Sequence, residues 1–179
     1  SSGSRSHFES YNDKTQFARG GYGEVWLATR THPVTMKKSL YVLKRLLVEH
    51  GERVRMSGVR EIHFGQVLQQ QSHVARFVEY FERGVVGEEL WLVFRYEGLS
   101  LESVMQAPVA DSSSKLTTFT ASKAWEAMRD DLDNGAGDQF RHLFAQLLLG
   151  VSEAHRNNVV LRDIKPSNIL LYTPEFEET

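Results

Sequence analysis

An acid, a base and an amide stand at fixed offsets in the segment Leu161-Arg162-Asp163-Ile164-Lys165-Pro166-Ser167-Asn168, just before the apolar run Ile169-Leu170-Leu171. An ionised carboxylate only accepts hydrogen bonds, an ammonium only donates them, and an amide does both, so the triplet can bind an anion, a cation or a proton. By residue type alone the stretch also reads as a loop in which Arg162 and Asp163 are solvated, Pro166 breaks a helix and Asn168 caps a turn. Near the other end, Ala18-Arg19-Gly20-Gly21-Tyr22-Gly23-Glu24-Val25 concentrates residues that lack a Cβ. Such a stretch can bring its backbone N–H groups close to phosphate oxygens, or simply turn a hairpin. A dinucleotide fingerprint is disfavoured, because no helical pattern opens after Gly23 and Val25-Trp26-Leu27-Ala28 reads as a strand.

A third position is Lys44, closing the apolar strand Tyr41-Val42-Leu43-Lys44. By itself Lys44 reads as a solvated surface lysine; if it serves as a binding group, its ammonium needs a carboxylate partner, for which Glu49, Glu52 and Glu61 are the candidates. Glu61 is preferred, on the helical pattern Val59-Arg60-Glu61-Ile62-His63-Phe64. Glu49 leaves too little chain for a turn and a packed helix, and Glu52 precedes Ser57, which the pattern makes the helix N-cap. The elements that position these residues follow from periodicity. Val74 to Phe81 and Leu90 to Phe94 are β-rich runs joined by a turn at Gly84 to Gly87. Phe140, Leu143, Phe144, Leu147, Leu148 and Val151 recur at helical spacing up to His155.

In this order, the stretches resemble the catalytic domain of eukaryotic-type Ser/Thr protein kinases. Residues 161–168 are similar to that family's H-R-D-x-K-x-x-N loop, Ala18 to Val25 to its G-x-G-x-x-G-x-V loop with Ala18 at the first Gly, and Tyr41 to Lys44 to its V-A-I-K strand. Leu92-Val93-Phe94-Arg95-Tyr96-Glu97-Gly98 resembles its hinge. The resemblance implies that Asp163 accepts the substrate hydroxyl proton, Lys165 neutralises the transferring phosphoryl group and Asn168 holds magnesium. It implies that Ala18, Gly20, Gly21 and Gly23 cradle ATP with Tyr22 shielding the phosphates, and that Lys44, oriented by Glu61, contacts the α- and β-phosphates. Val25, Val42 and Leu170 would sandwich the adenine, Phe94 would act as gatekeeper, and the Glu97 backbone would meet the adenine edge.

The implied fold is α+β with two lobes: a small antiparallel β-rich lobe with one key helix, and the first part of a helical lobe. The expected divisions are a linker-like or tag-like stretch at 1–10, a first lobe with hinge at 11–98, and a partial second lobe at 99–179. An insertion at 107–137 begins as a mobile loop and continues as an amphipathic helix through Trp125, Met128 and Leu132, which docks on its own lobe or recruits a partner. The implied reaction is transfer of the ATP γ-phosphoryl group to Ser or Thr hydroxyls of a protein. Lys165 matches the Ser/Thr form of the loop. The alternatives are a pseudokinase or ATP-binding scaffold without turnover, a small-molecule kinase, and a plain interaction module.

Three departures qualify the resemblance. Leu161 replaces the family His and is expected buried in the stack between the lobes, against the glutamate-bearing helix. Gly65 stands where a large apolar residue usually contributes to that stack, leaving Phe64 or Leu68 to fill it. No D-F-G, activation segment or A-P-E follows Leu171, so the chain is expected to end within the second lobe, inactive by itself and with the 140–151 stripe partly exposed. Composition sets only bounds. A net charge of −2 over 179 residues gives no basic footprint for nucleic acid. The absence of cysteine excludes disulfides and thiolate chemistry and is compatible with a reducing compartment. Leu147-Leu148-Leu149-Gly150-Val151 is far shorter than the ~18 residues of a membrane helix.

Overall fold

A computed structural model describes residues 7–21, 23–84, 88–109 and 117–172. The chain divides into two compact units, the first running to Tyr96 and the second beginning at Glu97.

The first unit is built on a five-stranded antiparallel sheet of β1 (Asn12–Gly20), β2 (Gly23–Thr31), β3 (Lys38–Leu46), β4 (Phe77–Arg83) and β5 (Glu89–Arg95) in the order β1-β2-β3-β5-β4. Side chains alternate across a sheet, and here both faces are covered. Leu43, Trp91, Val93, Ala28 and Phe81 form one core with Tyr11, while Leu46, Leu90, Leu92 and Phe77 form another with Val54 and Ile62. Parity alone would put Phe77 beside Phe81. A register shift between Phe77 and Glu79 adds a residue to β4 and sends Phe77 to the opposite face. Of the β4–β5 turn, residues 85–87 lie outside the described residues.

The first of the two cores is closed by the N-terminal segment. Residues 7–10, expected to belong to a linker, form a helical turn that lays Phe8 on Trp91, with ring centroids 4.9 Å apart. Tyr11 is wholly buried, and its hydroxyl donates to Glu79 Oε1 at 2.6 Å. Burial, then the Glu79 carboxylate, pushes this phenol well above its ordinary range.

The second core is closed by helix α1 (Glu52–Val67), which follows a 3₁₀ turn at Val48–His50. The expected N-cap at Ser57 is corrected. The cap residue is Gly51, whose φ of +112° turns the chain out of the 3₁₀ turn, and Ser57 lies inside the helix. Glu52 then sits in the first turn, where a carboxylate complements the helix dipole. The helix buries Val54, Gly58 and Ile62, four residues apart, so one stripe faces the sheet.

The second unit pairs two short strands, β6 (Leu99–Ser100) and β9 (Leu170–Leu171). Helix α2 (Leu101–Met105) is capped by Ser100, whose Oγ accepts from the Ser103 N–H at 3.1 Å. The expected mobile loop begins instead as a hairpin of β7 (Gln106–Val109) and β8 (Thr118–Ala121), with residues 110–116 outside the described residues. The insertion's helix is present as α3 (Lys123–Asp133), capped by Ser122. It packs Trp125 edge-on against Phe140, centroids 5.3 Å apart, on the long helix α4 (Asp138–Arg156). Gly150 and Ala154 are the buried positions of α4. Its larger apolar residues are less covered, with Phe144 56% and Leu148 66% exposed. Among the described residues no helix is long and apolar enough to cross a membrane.

Candidate active site

The glycine-rich stretch is the turn between β1 and β2. Ala18 is paired with Val25 and Gly20 with Gly23, so the expected loop is a hairpin tip at Gly21, and Tyr22 lies outside the described residues. At its root Gly23 is irreplaceable on steric grounds: a Cβ there would lie 2.6 Å from the Arg45 carbonyl oxygen. Continuing across the sheet, Val25 is opposite Lys44, and Val42 is opposite both Leu27 and Phe94. Cross-strand partners share a face, so Ala18, Val25, Val42, Lys44 and Phe94 line one side of the sheet.

That side is also the one against α1. Lys44 Nζ donates to Glu61 Oε1 at 2.9 Å and to Oε2 at 2.7 Å. Of the rivals, Glu49 is engaged elsewhere, by Arg45 at 3.4 Å. The two partners are about one-third exposed, so the pair adds only about 0–1 kcal/mol to stability. Its effect is to fix the ammonium in one place. Behind it Phe94 meets Phe77 edge-on at 5.5 Å, and Phe77 lies on Gly65, where a Cβ would come within 2.7 Å of the ring. Phe77 therefore takes the volume that a large side chain at position 65 would need. The candidates named for that filling divide: Leu68 is buried and Phe64 is 44% exposed.

A network on the opposite side of the sheet was not expected. Glu24 is only 7% exposed and is bonded by Arg45 Nη1 at 3.3 Å, and Arg45 also reaches Glu89 at 3.2 Å. Parity places Glu24 and Arg45 on the same face, but only the observed register makes them direct partners.

In the second unit the loop residues converge on Asp163. Lys165 Nζ lies 2.9 Å from Asp163 Oδ2, and Asn168 Nδ2 donates to Asp163 Oδ2 and to its backbone oxygen, both at 2.9 Å. Pro166 opens a 3₁₀ turn over Pro166–Asn168 that folds Asn168 back over the acid. The loop is tied down by Leu101 N–H donating to Ile169 O at 2.8 Å and by the β6–β9 pairing. The hydrogen bond from Lys165, and then that from Asn168, hold the Asp163 carboxyl below the usual carboxylate range. Leu170, in β9, is 43% exposed, and Glu97 opens the unit, half-buried. Leu161 corrects an expectation: it is 38% exposed rather than buried. Val159 is the buried residue of this stretch, its N–H bonded to Ala154 O at 3.0 Å, and Val160 beside Leu161 is exposed as well. Among the described residues there is no group of three or more His, Asp or Glu side chains that could hold a metal ion by themselves.

The glycine-rich hairpin, the lysine strand with its helical glutamate, and the Asp-x-Lys-x-x-Asn loop are the parts of a phosphotransfer domain. Comparison with known families matches residues 11–176 to the protein kinase domain, and the chain belongs to that family. It is 28% identical to an Arabidopsis thaliana protein described as a probable inactive protein kinase, over 70% of this chain and 42% of that one. It is 25% identical to a serine/threonine-protein kinase of Caenorhabditis elegans, over 91% of this chain and 40% of the relative. A cell division control protein 2 homolog of Trypanosoma brucei brucei is 25% identical over 97% of this chain and 46% of its own length. Among solved structures, the crystal structure of a kinase domain superposes with a TM-score of 0.61 at 16% identity, covering 93% of this chain and 41% of that one. The chain thus spans less than half the length of these relatives, and the fold is that of a kinase domain.

Proposed function

We propose that the protein to which this chain belongs transfers the γ-phosphoryl group of ATP to Ser or Thr hydroxyls of protein substrates. The observation that carries this reading is the Asp163 carboxylate, oriented by Lys165 and Asn168. In the proposed step the substrate hydroxyl oxygen attacks the γ-phosphorus, its proton passes to Asp163, and the bond to the β-phosphate oxygen breaks to leave ADP. Lys165, beside Asp163, offsets charge on the phosphoryl oxygens. Lys44, held by Glu61, binds the α- and β-phosphates, and the β1–β2 turn offers backbone N–H groups.

Magnesium, when bound, neutralises phosphate charge. With the Asn168 nitrogen turned to Asp163, its oxygen is the atom that would meet the ion, and magnesium characteristically fills its remaining positions with water and phosphate oxygens. A relative described as a serine/threonine-protein kinase supports the substrate class.

A second reading is an ATP-binding scaffold without turnover. It is favoured by Leu161 in place of the family His and by the relative described as inactive. Incubating the full-length protein with radiolabelled ATP, magnesium and a Ser/Thr peptide library separates the two. Label transfer that disappears in Asp163→Asn supports the kinase. Nucleotide binding without transfer supports the scaffold.

A further inference from the structure

The glycine-rich turn is fixed unevenly. Its root is rigid: Gly23 is paired with Leu46, pressed on the Arg45 carbonyl, and followed by the buried Glu24 in its ion pair with Arg45. Its tip stands in open space, where a Cβ built on Gly20 or Gly21 would meet no atom within 4 Å. Among the described residues, one side chain is seen to reach this tip from another element. His50 Nδ1 lies 3.2 Å from Gly21 O. A carbonyl can only accept, so Nδ1 is the protonated ring nitrogen. The histidine is itself well placed to hold: its N–H is bonded to Leu47 O at 2.9 Å in the 3₁₀ turn, and Gly51 next to it caps α1.

We infer that His50 is a positioning residue for nucleotide binding, tethering the Gly21 carbonyl so that the glycine-rich turn is held ready for phosphate. Glycine peptides flip at little cost, and a flipped peptide would turn the negative end of a C=O toward the anion. The bond to His50 disfavours that flip. It also joins the turn to the segment that leads into the helix carrying Glu61, so the phosphate grip and the partner of Lys44 share one support. The inference rests on the nucleotide reading proposed above and adds a residue to it that no family motif contains.

The test uses His50→Ala and His50→Asn in the full-length protein, the Asn Nδ2 being able to replace the histidine Nδ1 as donor. Without nucleotide, hydrogen exchange at residues 16–25 becomes faster in His50→Ala and stays at the wild-type rate in β4 and β5. With a non-hydrolysable ATP analogue and magnesium, His50→Ala binds about fivefold more weakly, the effect of losing one net hydrogen bond, and His50→Asn returns to within about twofold of wild type. If the protein turns over, KM for ATP rises by the same factor with kcat unchanged. Unchanged exchange at residues 16–25 in His50→Ala overturns the tether. Faster exchange with wild-type affinity overturns its role in binding. Failure of the wild type to bind the analogue refutes the nucleotide reading itself, a result visible before any variant is made.

Discussion

The Lys44–Glu61 pair and the Asp163–Lys165–Asn168 cluster reach the same kind of geometry by opposite routes. Lys44 and Glu61 are 17 residues apart, on a strand and a helix, and meet only because the sheet register, the Gly51 cap and the Gly65–Phe77 contact place α1 correctly. Asp163 and its partners lie within six residues, and a single proline-led turn brings them together at the surface. The first arrangement is a product of tertiary packing and is as adjustable as the packing beneath it. The second is local turn chemistry and is nearly independent of the core. Damage to the core should therefore reach Lys44 and leave Asp163 alone.

The largest effect is expected at the local cluster. Asp163→Asn in the full-length protein should lower kcat by about 10²–10⁴, the usual contribution of a positioned base, with nucleotide affinity nearly unchanged. Turnover equal to wild type would remove Asp163 from the chemistry. Next in size is Lys44→Met, which should abolish most phosphotransfer, while Glu61→Gln lowers it less because the lysine charge remains. Equal losses in the two variants would show that the glutamate does more than orient.

The contrast itself is tested by Gly65→Leu. The added side chain must displace Phe77, and overpacking of this kind costs about 1–3 kcal/mol. Calorimetry should show a lower melting temperature, and the Lys44–Glu61 pair should weaken while the Asn168–Asp163 bonds persist. Loss of both together, followed by NMR of the Asn168 side-chain amide, would mean that the cluster depends on the core after all. The smallest effect concerns titration. Removing the main cause of the depressed Asp163 pKa with Lys165→Met should move the carboxyl titration to higher pH, as followed by carboxyl-carbon NMR. The sign for stability follows. A depressed carboxyl stabilises the fold above its unfolded pKa, and that contribution disappears as pH falls through the folded value, so Lys165→Met should flatten the acid limb of the stability curve.

These two routes also explain what could be read from the sequence. The Asp163 loop and the glycine-rich turn are sequence-local, with residue types tied to turn chemistry, and both were legible. So were the insertion helix through Trp125 and the choice of Glu61 over Glu49. Other features were not. Phe77 has the parity of the opposite face, and only the bulge in β4 sends it against Gly65. The start of α1 was placed at Ser57 because a hydroxyl before an apolar period looks like a cap, whereas a glycine with positive φ did the capping. The β7 and β8 strands contain polar and proline residues that carry little strand signal. The partners of His50 and Glu24 follow from register, which periodicity does not encode.

The packing of Phe8, Trp26, Phe81 and Trp91 on one side of the sheet has an optical consequence. The chain has three tryptophans, two of which, Trp26 and Trp91, stand 6.4 Å apart within that aromatic cluster, while Trp125 belongs to the second unit. Energy absorbed by either of the close pair passes readily to the other, and Trp91 is 3% exposed with its indole N–H donating to Glu89 Oε2 at 2.8 Å. Replacing Trp125 with Phe would leave a tryptophan emission belonging to the sheet alone, so the melting of the first unit could be watched by itself.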